Sequence, residues 1–203
     1  MTRYGLVVDV SRCIGCYACV VACKSENYTR PEVSWLRIEE KEDGEFPRVS
    51  KTFTPLMCMQ CAEMPCAEGC PMGAIYKGEG EVILVDADKC ACGGSPCVES
   101  CPFGSMSTNR GRESYFGEDD TEEEKAAYNV HRDGVAEKCT LCSHRLEEGA
   151  IPFCAQACPA KALIFGDLND PKSDIASLVS TGDAQALKGD LHLGVSVFYK
   201  GTK

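Results

Sequence analysis

The stretch CIGCYACVVAC, residues 13–23, contains four cysteines, with two, two and three residues between successive members. Runs of this spacing are typical of thiolate ligation of iron–sulfur clusters, and in their paired form the fourth cysteine ligates a neighbouring cluster. The run therefore predicts a second cysteine motif elsewhere that shares its clusters. Runs of the simplest paired form end in proline, whereas Lys24 follows Cys23 here.

The sixteen cysteines of this 203-residue chain all belong to four such groups, and in each group the last cysteine follows the third after three residues. The groups, called here the first to fourth motifs, are Cys13, Cys16, Cys19 and Cys23; Cys58, Cys61, Cys66 and Cys70; Cys90, Cys92, Cys97 and Cys101; and Cys139, Cys142, Cys154 and Cys158. Pro71, Pro102 and Pro159 close the last three motifs, where a missing N–H and a fixed φ end a helical turn. Four complete sets of four thiols predict four 4Fe–4S clusters.

Other ligand chemistries fit this spacing less well. Zinc also takes four cysteines, but its modules usually pair two C-x-x-C knuckles, whereas the ligands here come as three plus one. Disulfides are disfavoured because no secretory leader opens the chain. A 3Fe–4S cluster is an alternative at the third motif, where Cys90 and Cys92 are one residue closer than Cys58 and Cys61.

Charge and hydropathy argue against two kinds of partner. The chain carries a formal net charge of −10 at pH 7, whereas nucleic-acid phosphates are bound by clustered lysine and arginine. No apolar run reaches the roughly 18 residues that a membrane-spanning helix needs. We therefore expect no nucleic-acid partner and no direct membrane span.

Apolar segments flank the motifs in a repeated pattern. VVDVSRC (7–13) and LVDADKC (84–90) place an apolar strand and an aspartate before a motif, while MGAIY (72–76) and AKALIF (160–165) follow a closing Cys-Pro. A strand that leads into a cysteine loop and a strand that leaves the following helix form a βαβ unit. Two such units are expected to pack about a pseudo-twofold axis and to exchange their fourth cysteines.

The order of the motifs predicts how these units combine. The second and third motifs lie close in sequence and are expected to pair, which leaves the first to pair with the fourth. The predicted fold class is α+β: two interlocked bacterial-ferredoxin-like units of βαβ repeats, the second inserted in the first, with hairpin and loop insertions. The inserted unit spans residues 58–102, and the outer unit spans residues 1–57 and 103–203.

Segments outside the motifs give weaker signals. WLRIEE (35–40) and FPRVSKTF (46–53), joined by a turn at Asp43-Gly44, predict a β-hairpin. His144 is predicted to be a hydrogen-bonded structural residue, because the cysteine set beside it is already complete. The sequence indicates no partner for His131.

The four-motif order, with a long gap inside the fourth motif (CTLCSHRLEEG…CAQACP) and a following GDLNDP, resembles the iron–sulfur subunit of the dimethyl sulfoxide reductase superfamily. Members include the small subunits of arsenate, polysulfide and dimethyl sulfoxide reductases, of pyrogallol–phloroglucinol transhydroxylase and of catechol dehydroxylases. The resemblance covers about residues 3–171. It implies electron relay through four clusters to or from a large catalytic subunit with a molybdenum or tungsten bis-pterin cofactor.

The resemblance also implies which thiols hold each cluster, with cluster 1 nearest the catalytic subunit. The implied sets are Cys13, Cys16, Cys19 and Cys158 for cluster 1; Cys23, Cys139, Cys142 and Cys154 for cluster 2; Cys58, Cys61, Cys66 and Cys101 for cluster 3; and Cys70, Cys90, Cys92 and Cys97 for cluster 4.

Four basic residues border the motifs. Arg12, Lys89 and Lys138 each precede the first cysteine of a motif, and Lys24 follows Cys23. Positive charge beside an anionic cluster favours the reduced state, so these residues are candidates for tuning reduction potentials. The alternative is a solvated side chain at a loop entrance.

The predicted function is an electron-transfer subunit of an anaerobic reductase or dehydroxylase, not an enzyme on its own. A free-standing polyferredoxin is one alternative, and a zinc-stapled interaction module is another. Beyond the catalytic subunit, a membrane anchor or a soluble electron carrier is the further redox partner to consider. The expected location is cytoplasmic, or exported and membrane-associated only through the catalytic partner.

Overall fold

The computed structural model describes residues 1–91, 93, 95–110, 115, 121–128 and 131–202, so the predicted ligand Cys92 lies outside the described residues. Short strands and helices alternate along the chain. The strands are β1 (Tyr4–Asp9), β2 (Arg37–Glu45), β3 (Arg48–Leu56), β4 (Ile75–Lys77), β5 (Ile83–Val85), β6 (Ser107–Thr108), β7 (Ala136–Glu137), β8 (Leu163–Asp167) and β9 (Val197–Lys200). The α-helices are α1 (Ala18–Asn27), α2 (Pro65–Glu68), α3 (Ser95–Glu99), α4 (Glu122–Tyr128), α5 (Ser143–Glu147), α6 (Phe153–Gln156) and α7 (Asp174–Ser180).

Strand pairing joins the four motifs in a ring. One strand leads into each motif and another leaves it, and each leaving strand pairs antiparallel with the strand that leads into the next motif. The pairs are β2–β3, β4–β5, β6–β7 and β8–β1. The last pair closes the ring, because it joins the strand after the fourth motif to the strand before the first.

Strand β1 is the most deeply buried element of the ring. It lies between β8, which is antiparallel to it, and β9, which is parallel to it. Leu6 and Val8 belong to a core that contains cysteines of the first, second and fourth motifs, whereas Val7 packs against Ile175 of α7. Because successive side chains of a strand point to opposite faces, an apolar strand covered on both sides reads as a continuous apolar run. The predicted strand at the start of the chain is thus confirmed.

The predicted hairpin between the first two motifs is also confirmed, but its predicted turn is wrong. Strands β2 and β3 pair with Gly44 opposite Val49 and Glu45 opposite Arg48, so that Phe46 and Pro47 form the loop. Gly44 lies within β2 at φ +96°, and a Cβ there would come within 2.2 Å of the carbonyl oxygen of Arg48. The glycine permits close backbone approach inside the ribbon.

The protein is therefore a mixed α/β fold in which short elements surround the cysteine motifs. None of the described helices is long and apolar enough to cross a bilayer. The division into an inserted unit and an outer unit stays a prediction.

Candidate iron–sulfur centres

Four thiols from opposite ends of the chain line one cavity, and they are Cys13, Cys16, Cys19 and Cys158. The first three come from the loop before α1 and from its first turn, whereas the fourth follows α6. Gly15 turns that loop at φ +67°, a conformation that glycine adopts without steric cost. Ile38 and Pro55, at the root of the β2–β3 hairpin, form part of the same wall.

A second cavity is lined by four thiols from the middle of the chain, namely Cys58, Cys61, Cys66 and Cys101. Cys66 lies on α2 and Cys101 follows α3, and these two helices pack together. The only charged group on the wall, among the described residues, belongs to Lys138. Three thiols of the second motif and the last thiol of the third motif thus face one space.

The thiols of Cys23, Cys139, Cys142 and Cys154 form a third, deeply buried set. Burial is the main cause that raises the pKa of the Cys154 thiol well above its usual value, and the other three thiols of the set raise it further. The same cause raises the pKa of Cys139 to about 12. Helices α1 and α6, which carry the first and last members of this set, pack against each other.

The remaining described cysteines lie in a separate buried group. Cys70, Cys90 and Cys97 pack with Ala74, Ile75 and neighbouring apolar residues, and Cys66 and Cys101 of the second cavity pack against this group. The structure therefore brings together three of the four residues predicted for cluster 4. The fourth, Cys92, lies outside the described residues.

Backbone N–H groups point at the sulfurs in a repeated geometry. The last cysteine of the second, third and fourth motifs each accepts a hydrogen bond from the backbone N–H four residues later. The donor–acceptor pairs are Ala74 N to Cys70 Sγ (3.4 Å), Ser105 N to Cys101 Sγ (3.4 Å) and Ala162 N to Cys158 Sγ (3.3 Å). Hydrogen bonds to the sulfurs are one of the means by which a protein sets the potential of an iron–sulfur cluster.

The first motif achieves a similar contact by a different route. No proline interrupts α1 after Cys23, so the helix continues through Asn27. The side-chain amide of Asn27, also four residues on, lies 3.7 Å from Cys23 Sγ and 3.9 Å from Cys142 Sγ. It also donates to the Cys23 carbonyl at 2.9 Å, and the side chain is buried. Asn27 was not identified from the sequence.

A buried polar seam joins the second set of thiols to the third. Lys138, which is 1% exposed, donates from Nζ to the carbonyl oxygens of Ile83 and Cys139. The amide of Gln60 donates to the same Cys139 carbonyl at 2.8 Å and accepts from the Ile83 N–H at 2.7 Å. The seam therefore supplies hydrogen-bond partners for the buried backbone groups where the two sets meet, and buried polar groups need such partners. Gln60 carried no signal in the sequence.

The four basic residues proposed for potential tuning lie in different surroundings. Lys138 is buried beside thiols, and its charge lowers the pKa of Cys61 and of Cys66 against the larger effect of burial. Lys24 is held by the carbonyls of Arg30, Pro31 and Val33. The remaining two are on the surface: Lys89 pairs with Asp86, and Arg12 is exposed.

Two of the three histidines, His131 and His144, have carboxylate partners. His144 Nε2 lies 2.9 Å from Oε1 of Glu26, in agreement with its predicted structural role. His131, whose partner could not be inferred from the sequence, is buried with its Nδ1 2.6 Å from Oε1 of Glu137. Glu137 also accepts a hydrogen bond from the indole N–H of Trp35 at 3.1 Å. Residues 35 and 137 lie far apart in the sequence, so no local pattern indicated this contact.

The donor chemistry fits iron–sulfur clusters. Two of the thiol sets line the walls of cavities, with four thiols facing each space. Among the described residues no group of three or more Cys, His, Asp or Glu side chains is arranged to hold a single metal ion. Burial raises the pKa of Cys19 and of Cys66 to about 11 and that of Cys61 to about 12. Cysteine ligates as the thiolate, so each of these thiols must release its proton when a cluster binds. The positive charge of the iron then stabilises the buried thiolates.

Comparison with known protein families supports the cofactor. A family described as a 4Fe-4S dicluster domain matches residues 49–116 and 124–168, and a second family of the same description matches residues 12–74. These matches show that the protein has ferredoxin-type 4Fe–4S domains. They confirm the predicted iron–sulfur chemistry, while the number of clusters is a separate question.

The similarity to curated relatives extends over almost the whole chain. A selenate reductase subunit of Mesobacillus selenatarsenatis is 38% identical over 96% of this chain and 70% of its own length. The arsenate respiratory reductase iron-sulfur subunit of Shewanella sp. strain ANA-3 is 33% identical over 97% of this chain and 95% of its own. A tetrathionate reductase subunit of Salmonella typhimurium is 32% identical over 98% of this chain and 72% of its own.

The predicted family and the predicted electron-transfer function are confirmed by these similarities. Relatives of this kind are named as subunits of reductase complexes, so a catalytic partner subunit is implied. The chain belongs to the family of electron-transferring iron–sulfur subunits of the dimethyl sulfoxide reductase superfamily.

Proposed function

We propose that the protein carries four 4Fe–4S clusters and relays electrons through them in a fixed order. The ligand sets are those implied by the family resemblance, with cluster 4 completed by Cys92. The observation that carries the proposal is the three-plus-one composition of the two cavities. In each cavity, three thiols of one motif meet the closing thiol of another, as exchange of the fourth ligand requires.

Contacts between the sets support the order 1–2–3–4. Cys19 of cluster 1 is close enough to affect the pKa of Cys23 and Cys154 of cluster 2. Cys58 of cluster 3 raises the pKa of Cys139 of cluster 2. Two thiols of cluster 3, Cys66 and Cys101, in turn pack against the buried group that holds the described thiols of cluster 4. Each step therefore joins neighbouring sets.

The ring of strand pairs supports two interlocked ferredoxin-like units. The pair β4–β5 connects the second and third motifs, and β8–β1 connects the fourth motif to the first. In this proposal residues 58–102 form the inserted unit, and residues 1–57 and 103–203 form the outer unit. The remaining two strand pairs, β2–β3 and β6–β7, lie in the outer unit, one on each side of the inserted unit.

The partner in this proposal is a large catalytic subunit with a molybdenum or tungsten bis-pterin cofactor, placed next to cluster 1. The chain itself performs no substrate chemistry. A membrane anchor or a soluble carrier exchanges electrons at the cluster 4 end. Relatives named for selenate, arsenate and tetrathionate reductases support an anaerobic reductase, in the cytoplasm or exported with its catalytic subunit.

Isolation of the native complex tests this function. Full loading predicts about sixteen iron and sixteen acid-labile sulfide per chain, together with a co-purifying large subunit that contains molybdenum or tungsten. Addition of the partner's substrate should oxidise the reduced clusters. A stable monomer with full iron content and no large partner would indicate a free-standing polyferredoxin. A colourless protein with zinc and no sulfide would indicate an interaction module.

Lys138 is proposed to raise the reduction potentials of the two clusters that it separates. Replacement by methionine keeps the length of the side chain and removes a buried positive charge, so the reduced states lose stabilisation. We expect the potential of cluster 3, cluster 2 or both to fall by about 60 mV or more, which is about tenfold in a one-electron equilibrium. Anaerobic redox titration followed by EPR measures this shift.

The matched control is Lys89→Met, since that lysine is largely exposed and its ion pair with Asp86 lies at the surface. Its potentials should equal those of the wild type, because exposed charges are screened by water and salt. Unchanged potentials in a fully loaded Lys138→Met protein would contradict the tuning role.

A further inference from the structure

The β2–β3 hairpin extends from the fold as a ribbon that is exposed on both faces. Every residue from 39 to 51 is exposed, and Phe46 at the tip is 91% exposed. In the described structure these two strands form a sheet by themselves, so each has one edge without a neighbouring strand. Isolated two-stranded hairpins are marginally stable in water, and exposed strand edges are usually protected.

The root of this ribbon is fastened to the loop that holds cluster 1. Ile38 and Pro55 line the cavity of that cluster. The hydroxyl of Tyr17, in the cysteine loop, donates to Glu40 at 2.5 Å, and Lys51 pairs with the same carboxylate at 2.6 Å. The ribbon therefore projects from the wall of the cluster 1 cavity in a defined direction.

The same region contains an exposed thiol. Among the fifteen described cysteines, Cys16 alone is exposed rather than buried or half-buried. Ile14 and Val21, on the loop and helix beside it, are 64% and 66% exposed. Electrons pass to another protein where a cluster comes nearest the surface, and exposed apolar residues around that point are typical of a protein interface.

We propose that the β2–β3 ribbon is a docking arm that grips the catalytic subunit, with Phe46 as its anchor and the surface around Cys16 as the adjoining contact. The inference rests on the proposed function for the identity of the partner. It assigns the arm to the subunit that receives electrons from cluster 1, because the arm and the exposed thiol share one cavity wall. A large aromatic side chain at the tip suits a pocket on that subunit, since aromatic residues dominate binding energy at interfaces.

The test uses the native complex, purified through a tag on this chain and assayed for molybdenum, tungsten and iron. Phe46→Asp should lower the ratio of molybdenum or tungsten to iron by about tenfold or more, the loss expected for an interface anchor. Iron per chain should stay at the wild-type value. Tyr76→Asp is the matched control, because Tyr76 is a 45% exposed aromatic residue on β4, away from cluster 1; its ratio should not change.

A photo-crosslinking amino acid at position 46 gives a second measurement that does not depend on loss of binding. It should crosslink to the large subunit, whereas the same probe at position 76 should not. A wild-type ratio in Phe46→Asp overturns the docking arm, as does crosslinking to a second copy of this chain. A wild-type chain without any molybdenum or tungsten partner overturns the proposed function instead.

The side chain of Asn27 lies where the other motifs place a backbone N–H group. In three motifs a proline directly follows the last cysteine, and the sulfur of that cysteine accepts a hydrogen bond from the backbone N–H four residues later. In the first motif helix α1 continues past the last cysteine to Asn27, so the backbone N–H groups there take part in the hydrogen bonds of the helix. The side chain at the same position in the motif, Asn27, reaches the sulfur in their place.

We infer that Asn27 is a positioning residue that replaces the missing backbone donor and raises the potential of cluster 2. Its amide faces sulfurs of both motifs that hold this cluster, at 3.7 Å from Cys23 and 3.9 Å from Cys142. A hydrogen-bond donor stabilises the more negative, reduced cluster, so its loss should lower the potential. This inference rests on the proposed ligand set of cluster 2.

Asn27→Asp keeps the shape of the side chain and replaces the donor by an acceptor. The potential of cluster 2 should fall by about 59 mV or more, which is tenfold for a one-electron couple, while clusters 3 and 4 keep theirs. Asn27→Ala should lower it as well, by removing the donor. EPR redox titration of the purified protein provides the readout, independent of catalytic activity.

Thr29→Val is the matched control, since Thr29 is buried two residues further on and its hydroxyl makes no hydrogen bond within the described structure. A merely structural effect would shift the control too. An unchanged cluster 2 potential in a fully loaded Asn27→Asp protein overturns the inference. An iron content below four clusters in the wild type overturns the proposed ligand sets instead.

Discussion

Replacement of Cys158 by alanine is expected to block electron transfer between the remaining clusters and the catalytic partner. Cys158 lines the cavity proposed for cluster 1 together with three thiols of the first motif, and its sulfur accepts a hydrogen bond from the N–H of Ala162. Without this ligand the cluster is lost or degraded, and about four iron atoms leave the chain. The remaining clusters should still be reduced by dithionite, but the partner's substrate should reoxidise them only at the background rate.

Cys97→Ala is the matched control for this experiment. It removes a buried ligand from the predicted cluster 4 and should cost the same amount of iron. Clusters 1 to 3 remain between the reduced protein and its partner, so reoxidation by substrate should stay close to the wild-type rate. Equal reoxidation rates in the two variants would contradict the proposed order of the clusters.

Removal of iron is expected to unfold most of the chain. Helices α2, α3, α5 and α6 have four or five residues each, and the strands of two of the pairs have two or three. Helices shorter than about 12 residues are marginal in water, so these elements depend on what they surround. Metal binding contributes about 10–16 kcal/mol in small structural zinc domains, as much as the whole 5–15 kcal/mol stability of a typical domain.

Anaerobic treatment with ferricyanide and EDTA destroys the clusters, whereas EDTA alone leaves them in place and serves as the control. Near-UV circular dichroism and a cooperative thermal transition should disappear only after the combined treatment. The sheet of β1, β8 and β9 has a small apolar cluster that contains no cysteine, in which Val7 packs with Ile175 of α7 and with Ala184 after that helix. Retention of a cooperative transition by the iron-free chain would contradict this dependence.

The sequence predicted those features that local spacing determines. Cysteine spacing identified the motifs, and apolar segments before Cys13 and Cys90 correspond to β1 and β5. The hairpin was found for the same reason, although its turn was misplaced because Gly44 permits close backbone approach inside the ribbon. A short-range pattern does not distinguish that use of glycine from a turn.

Features that depend on distant parts of the chain were missed. Gln60 was not a candidate, and the buried seam that it shares with Lys138 depends on Ile83 and Cys139, which are far apart in sequence. Asn27 shows its role only by comparison with the backbone donors of the other motifs. Of the four basic candidates, burial separates Lys138 from the exposed Lys89, and burial is a property of the folded chain.

The cavity shared by Cys13 and Cys158 also has a consequence for how the protein is made. Chains emerge from the ribosome with the N-terminus first. In the proposed scheme the ligands of clusters 3 and 4 are all synthesised once residue 101 has emerged, whereas clusters 1 and 2 need residues 158 and 154. Cluster insertion can therefore begin at the end distant from the catalytic partner. The cluster that faces this partner is completed in this scheme only after residue 158 has been translated, so an unfinished subunit has no functional docking end.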